Sequence, residues 1–321
     1  MSPWESVVPD DGYEALRSGL GVRVVDRDVL AVHGPDARSY LQGQCSQDLD
    51  PVDIGDSVES LILSPQGKVD AWVRITRTGD EYFVVDADPG CGDAARARLQ
   101  RFRLRTRVTI EPLDWACLSL RGPRAADAGT GVAGPELALP VAWPGWSGLD
   151  LLGPRRVDDP GLISWKPDGA VRCGVEAWEA VRIAAGVPVG GREVTGSTIA
   201  AEVGLVDRTV SFTKGCFTGQ ELVARLDARG SKVTRSLCGV VVADAEAGPP
   251  VGAAVWTADG AYEVGTLTSV ARTPGSGVRV ALATLHRRVT PPETVEVRWE
   301  SDGTASRVAA EARPLPLVGT V

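Results

Sequence analysis

The sequence predicts an α+β protein of more than one lobe that ends in an all-β barrel or sandwich. Three observations carry that expectation. Residues 29–110 pattern as strand, helix, three strands, helix and strand. A second α+β stretch starts near Trp115, and from Arg235 onward short alternating runs are separated by Gly and Pro turns. Antiparallel hairpins beside helices indicate an α+β lobe, not a doubly wound sheet. At 321 residues the chain exceeds the usual size of one compact domain. We therefore expect a first lobe over residues 1–113, a second over 114–232 and a barrel over 233–321, with segments free to cross between lobes.

The clearest element of the first lobe is residues 68–75. Val69, Ala71, Val73 and Ile75 alternate with Lys68, Asp70, Trp72 and Arg74, the period of a half-buried strand. Pro65-Gln66-Gly67 supplies the turn before it, Thr78-Gly79-Asp80 the turn after it, and Tyr82-Phe83-Val84-Val85 the next strand. Trp115-Ala116-Cys117-Leu118-Ser119-Leu120 opens the second lobe. Gly, Pro and Ala between Gly122 and Gly148 predict loops with short strands. A helix near residues 175–185 should stop at Gly186, with Pro188 close behind. The barrel strands are predicted around residues 238–242, 265–270, 278–283 and 295–299.

Composition excludes several functions. With 43% hydrophobic and 24% charged residues the chain is neither disordered nor membrane-embedded, and no apolar run approaches the roughly 18 residues of a membrane span. Met1-Ser2-Pro3-Trp4-Glu5-Ser6 lacks the basic start and apolar core of a secretory signal, so a cytoplasmic location is expected. Six scattered cysteines without a Cys-x-x-Cys pair, and two histidines, are too sparse for a disulfide framework or a self-contained metal site. A net charge of −8 makes direct nucleic-acid binding unexpected. The cluster Arg96, Arg98, Arg101, Arg103, Arg105 and Arg107 reads either as a solvated face or as a local anion site for a polyglutamate tail or an RNA backbone.

The most specific stretch is Lys214-Gly215-Cys216-Phe217-Thr218-Gly219-Gln220-Glu221. Thr218 and Glu221 have capping-box spacing, which predicts a helix from Gly219 to Arg229 with a stop at Gly230. Cys216 would lie just before its N-terminus, where the dipole and Lys214 favour the reactive thiolate. The alternative is a tight turn whose thiol fills a small buried space. Glu221, Arg225 and Arg229 follow at i, i+4 spacing, either as an intrahelical ion-pair ladder or as a face turned to a cleft near Cys216. Trp178 and Arg182 are also four apart and share a face, where indole and guanidinium could stack on a planar heterocycle or simply shield one another.

That octapeptide closely resembles the signature of the YgfZ family, folate-binding relatives of the glycine-cleavage aminomethyltransferase (T-protein). Val223-Ala224-Arg225 and Arg229-Gly230 continue the resemblance. Gly34-Pro35-Asp36-Ala37-Arg38-Ser39-Tyr40-Leu41-Gln42-Gly43-Gln44, Ser64-Pro65-Gln66-Gly67-Lys68 and Arg182-Ile183-Ala184-Ala185-Gly186-Val187-Pro188 precede it in the family's order. The resemblance implies two ferredoxin-like α+β lobes and a C-terminal β-barrel around a central cleft for tetrahydrofolate, with Trp178 at a position where the family carries a tryptophan. It implies an accessory protein that supports iron-sulfur cluster assembly or repair in client enzymes, including tRNA-modifying ones.

Two departures bear on catalysis. The strand that carries an acidic pair in the transferases has Ala71 and Trp72 at those positions, with Asp70 displaced by one residue and therefore on the opposite strand face from Ala71. Ala184 stands where the transferases carry a glutamate for the pterin. Aminomethyl transfer is therefore not expected. The competing readings are a folate-dependent aminomethyl or one-carbon transferase whose acid has moved to Asp70, and an RNA-binding adaptor using the arginine cluster.

Overall fold

Three sheets organise the computed structural model, which describes residues 11–128, 132–159, 162–228, 230, 232–243, 248–301 and 303–317. The first is antiparallel, in the order β3-β4-β5-β2-β6, built from β2 (Asp28–His33), β3 (Ser57–Leu63), β4 (Val69–Arg77), β5 (Tyr82–Ala87) and β6 (Thr109–Leu113). Helices α2 (Ala37–Gln44) and α3 (Gly92–Arg101) join these strands in the strand-helix-strand order that the apolar pattern predicts. The alternation in β4 has a direct consequence. Ala71, Val73 and Ile75 enter a core with Leu41 of α2 and Leu99 of α3, while Trp72 and Arg74 point to the other face.

The second sheet runs β10-β1-β7-β9-β8, from β1 (Gly21–Val25), β7 (Trp115–Arg121), β8 (Leu137–Trp143), β9 (Trp146–Pro154) and β10 (Val171–Arg172). In β7, Ala116, Leu118 and Leu120 pack outward against Trp165 and Leu162, so Cys117, Ser119 and Arg121 face the first sheet. Val29 and Val84 meet Cys117, Leu139 and Leu152 in a shared core between the two sheets.

Helix α1 (Tyr13–Ser18) and α4 (Val175–Ala184) form a further core with barrel residues Ala271, Val280 and Leu282. Gly186 at φ 73° ends α4, in the left-handed region that suits glycine. The segment containing α5 (Val206–Thr209) and α6 (Gln220–Asp227) returns to the first sheet, where Val210 and Val223 pack on Leu61, Leu63 and Val69. The C-terminal strands β11 (Arg235–Val242), β12 (Ala254–Thr257), β13 (Glu263–Arg272), β14 (Arg279–His286), β15 (Glu293–Ser301) and β16 (Thr304–Arg313) close into a six-stranded barrel. The fold is thus mixed α+β with a closed C-terminal barrel. Spatially, β1 belongs with the second sheet and residues 194–223 with the first.

Candidate functional site

A cavity of about 690 Å³ lies where the inner faces of the first two sheets meet α4 and residues 187–192. Its wall contains two tryptophans in edge-to-face contact, Trp143 and Trp178, with ring centroids 5.4 Å apart. The Arg121 guanidinium carbon stands 4.4 Å from the Trp143 ring and 5.3 Å from that of Trp178. Such a wall presents two indoles and a cation to a planar heteroaromatic ring.

Beneath this wall a buried charge network joins the two sheets. Asp86 accepts from Arg27 Nε at 2.9 Å and from Arg74 Nε at 2.9 Å. Arg74 continues to Asp150 at 3.0 Å, and Asp150 also accepts from Ser119 Oγ at 2.6 Å and Arg121 Nη1 at 3.0 Å. Arg27 reaches Asp88 as well. Burial acts to neutralise these groups, but the opposite charges outweigh it. Asp86 stays below the usual carboxylate range through Arg74 and Arg27, and Asp150 through Arg121 and Arg74. Arg27 and Arg74 are held above their ordinary values by Asp86 and its neighbouring acids. At neutral pH these groups are fixed charges and not proton donors.

Trp178 and Arg182 both line the cavity, but they do not stack. Arg182 is committed to Glu179 at 2.8 and 2.9 Å and to Ser269 Oγ at 2.7 Å, which ties α4 to barrel strand β13. Arg121, from the second sheet, takes the place beside the indole. Ala184 is fully buried in the apolar core of α4 instead of lining the cavity. The carboxylate that α4 does present there is Glu179, held below its usual range: burial opposes that, and Arg182 and then Arg192 outweigh it.

On β4, Ala71 is sealed in the core and Trp72 faces the cavity. The Trp72 indole N–H donates to Glu59 at 3.2 Å, and Arg208 lies over its ring at 5.4 Å. Asp70 is not part of the lining. It is paired with Arg98 of α3 at 3.3 Å, and burial pushes its carboxyl up against that pairing.

The octapeptide occupies a separate surface, since none of residues 214–225 lines the cavity. Lys214 does not serve Cys216. Its ammonium is half-buried and donates to the carbonyls of Gln42, Cys45 and Gln47 at 2.6, 2.7 and 2.9 Å, fastening the loop to the end of α2. Cys216 is exposed, and Gly215 beside it has open space where a side chain would stand. The predicted capping box does not form. Helix α6 begins one residue later than expected, and the Gln220 side chain reaches back to accept from the Phe217 N–H at 3.1 Å. Gly219 instead meets a packing need: at φ 80° its Cβ would lie 2.5 Å from Ser64 O, and a Cβ on Gly67 would lie 2.5 Å from Leu222. The Pro65-Gln66-Gly67 turn and the start of α6 are therefore complementary surfaces.

Glu221 and Arg225 are exposed and make no ion pair with each other, and Val223 supplies the packed face of this short helix. Arg225 is not at the cavity, and Arg229 lies outside the described residues. None of residues 96–107 lines the cavity either, so the arginine cluster is on a separate surface.

Sequence reasoning missed Arg27, Arg74, Asp86, Arg121 and Asp150. A lone acid in an apolar strand was a usable signal, as in Phe83-Val84-Val85-Asp86-Ala87 and Leu149-Asp150-Leu151.

Residues 11–136 match the model of the GCVT N-terminal domain. A protein named tRNA-modifying protein YgfZ from Klebsiella pneumoniae is 28% identical over 237 residues, covering 70% of this chain and 72% of its own length. A Neurospora crassa protein named iron-sulfur cluster assembly factor IBA57 homolog, mitochondrial, is 24% identical over 67% of this chain and 52% of its own. The crystal structure of glycine cleavage system aminomethyltransferase T from Bartonella henselae superposes with a TM-score of 0.77 at 21% identity, over 98% of this chain and 90% of that one, and shares the fold. Residues 11–136 thus match the GCVT N-terminal domain, and the chain is similar to YgfZ proteins, an IBA57 homolog and aminomethyltransferases.

Proposed function

We propose that this protein binds tetrahydrofolate and acts as an accessory factor for iron-sulfur cluster assembly or repair in client proteins, including enzymes that modify tRNA. The observation that carries this reading is the pairing of an indole-guanidinium wall with acids already engaged by arginines. Glu59, Asp88, Asp150 and Glu179 each accept from an arginine. The cavity's size falls within the roughly 300–1,000 Å³ typical of small-molecule sites. Trp143, Trp178 and Arg121 would hold the pterin. Bound tetrahydrofolate supplies a reduced, one-carbon-carrying cofactor. The names of the YgfZ and IBA57 relatives support the iron-sulfur and tRNA side of the proposal.

A transferase reading has less support. Ala71 is sealed in the core, Trp72 covers the cavity side of β4, and Asp70 is engaged by Arg98, so no acid on that strand is free to accept a proton from an aminomethyl donor. Calorimetric titration of anaerobically reduced protein with tetrahydrofolate tests the proposal. One saturable site, weakened about tenfold or more in Trp178→Ala, is expected. No heat of binding to folded wild-type protein would overturn it.

A further inference from the structure

We propose that the loop following α3 is a docking surface for an acidic, leucine-bearing segment of a protein partner. The inference rests on the reading that this protein serves client proteins, and it concerns a surface away from the cavity. Arg101, Phe102, Arg103, Leu104 and Arg105 are consecutive and all exposed, with Leu104 at 83% the most exposed of them among the large apolar side chains. A chain of net charge −8 here concentrates cations around two apolar side chains. Among the described residues, Arg101 and Arg105 pair with no carboxylate, whereas neighbouring Arg96 and Arg107 are neutralised by Asp93 and Asp36. Arg105, and Arg101 whose guanidinium lies 5.7 Å from the Phe102 ring, are two cations without a counter-charge beside exposed Leu and Phe, and they call for carboxylates and apolar side chains on the same partner.

The loop is built to hold this presentation. Arg103 Nη1 donates to Val108 O at 2.8 Å, and Thr106 Oγ1 donates to Arg103 O at 2.7 Å. Arg105 adopts φ 64°, a left-handed conformation that is strained for a non-glycine residue. Phe102 is braced from below by Arg98 at 3.8 Å, and Arg98 is tied to Leu63 O at 3.2 Å. Leu63 and Ser64 in turn abut Gly219 at the start of α6. A partner seated on the loop would therefore lie beside the surface that carries the octapeptide. Such preorganisation reduces the ordering cost of binding.

The observations favour protein over RNA. The one aromatic ring of the patch has a face covered by Arg98, and the most exposed apolar group is aliphatic, so it can pack on an apolar side chain but cannot stack on a base.

Fluorescence anisotropy on the full chain tests the proposal with three probes of equal length: a peptide alternating Glu with Leu, the same peptide with Ser for Leu, and a single-stranded RNA. Arg105→Gly removes the cation at a backbone position where glycine is unstrained, and Leu104→Ser removes the apolar group. The Glu/Leu peptide should bind best, and each variant should weaken it about fivefold to tenfold. Equal binding of the two peptides, equal binding by wild type and variants, or preferential RNA binding lost in Arg105→Gly would each overturn the proposal. Tetrahydrofolate titration of the same variants separates the two readings, since cavity binding should be unchanged whichever way the peptide result falls.

Discussion

Replacing Asp86 by Asn should destabilise the protein more than any cavity-lining substitution that leaves an ion pair intact. Asp86 is completely buried and receives four hydrogen bonds from two guanidinium groups: Arg27 Nε and Nη2 at 2.9 and 2.6 Å, and Arg74 Nε and Nη2 at 2.9 and 3.0 Å. Asparagine keeps one acceptor oxygen, turns an NH2 group toward a donor, and leaves two arginines short of a counter-charge. Breaking one partner of such a buried pair costs about 3–5 kcal/mol. That is a large share of the ~5–15 kcal/mol by which most domains are stable. The assay is urea unfolding at pH 7 followed by tryptophan fluorescence, with slopes compared to confirm that only the midpoint moves. Asp150→Asn, which removes the other partner of Arg74, should combine with Asp86→Asn less than additively because the two share that guanidinium. A loss below about 1 kcal/mol for Asp86→Asn would refute the reasoning. It would mean that the network behaves as a solvent-screened surface cluster. The pH dependence gives a second check. Both carboxyls have folded values below their unfolded ones, so their stabilisation is fully present above the unfolded value of about 3.9 and is lost as pH falls through the folded values. The difference between wild type and Asp150→Asn should therefore stay level from pH 7 to about 5 and shrink only in stronger acid.

Gly219→Ala should lower stability by about 1–3 kcal/mol in thermal unfolding, because the left-handed backbone and Ser64 O leave no room for Cβ, whereas Gly215→Ala, which meets open space, should stay within about 0.5 kcal/mol of wild type. Equal effects at the two positions would contradict the packing assigned to α6. A maleimide titration of native protein should label Cys216 first, with Cys216→Ser removing the fast phase. Cys45 and Cys117, both buried and pushed up to about 12 by burial, should stay unlabelled until unfolding.

The sequence by itself determined the local elements. Alternation over residues 68–75 specified β4 and its two faces, Gly186 marked the end of α4, and the Gly-Pro-punctuated runs after residue 235 became a closed barrel. It also identified the octapeptide, since closely spaced glycines and a thiol are visible without coordinates. What it misjudged were partners distant in sequence. Lys214 reads locally as a neighbour of Cys216, yet its donors reach carbonyls 167 to 172 residues earlier. Arg182 reads as the cation for Trp178, yet tertiary packing gave it to Glu179 and Ser269 and brought Arg121 to the indole from another sheet. The cavity network spans Arg27 to Asp150 and exists only because two sheets place their inward positions face to face. Periodicity assigns each of those side chains to a face of its own strand. Which opposite charge it meets across the gap depends on how the strands' sheets pack, and burial makes that meeting decisive, since an unpaired charge there would be too costly to keep.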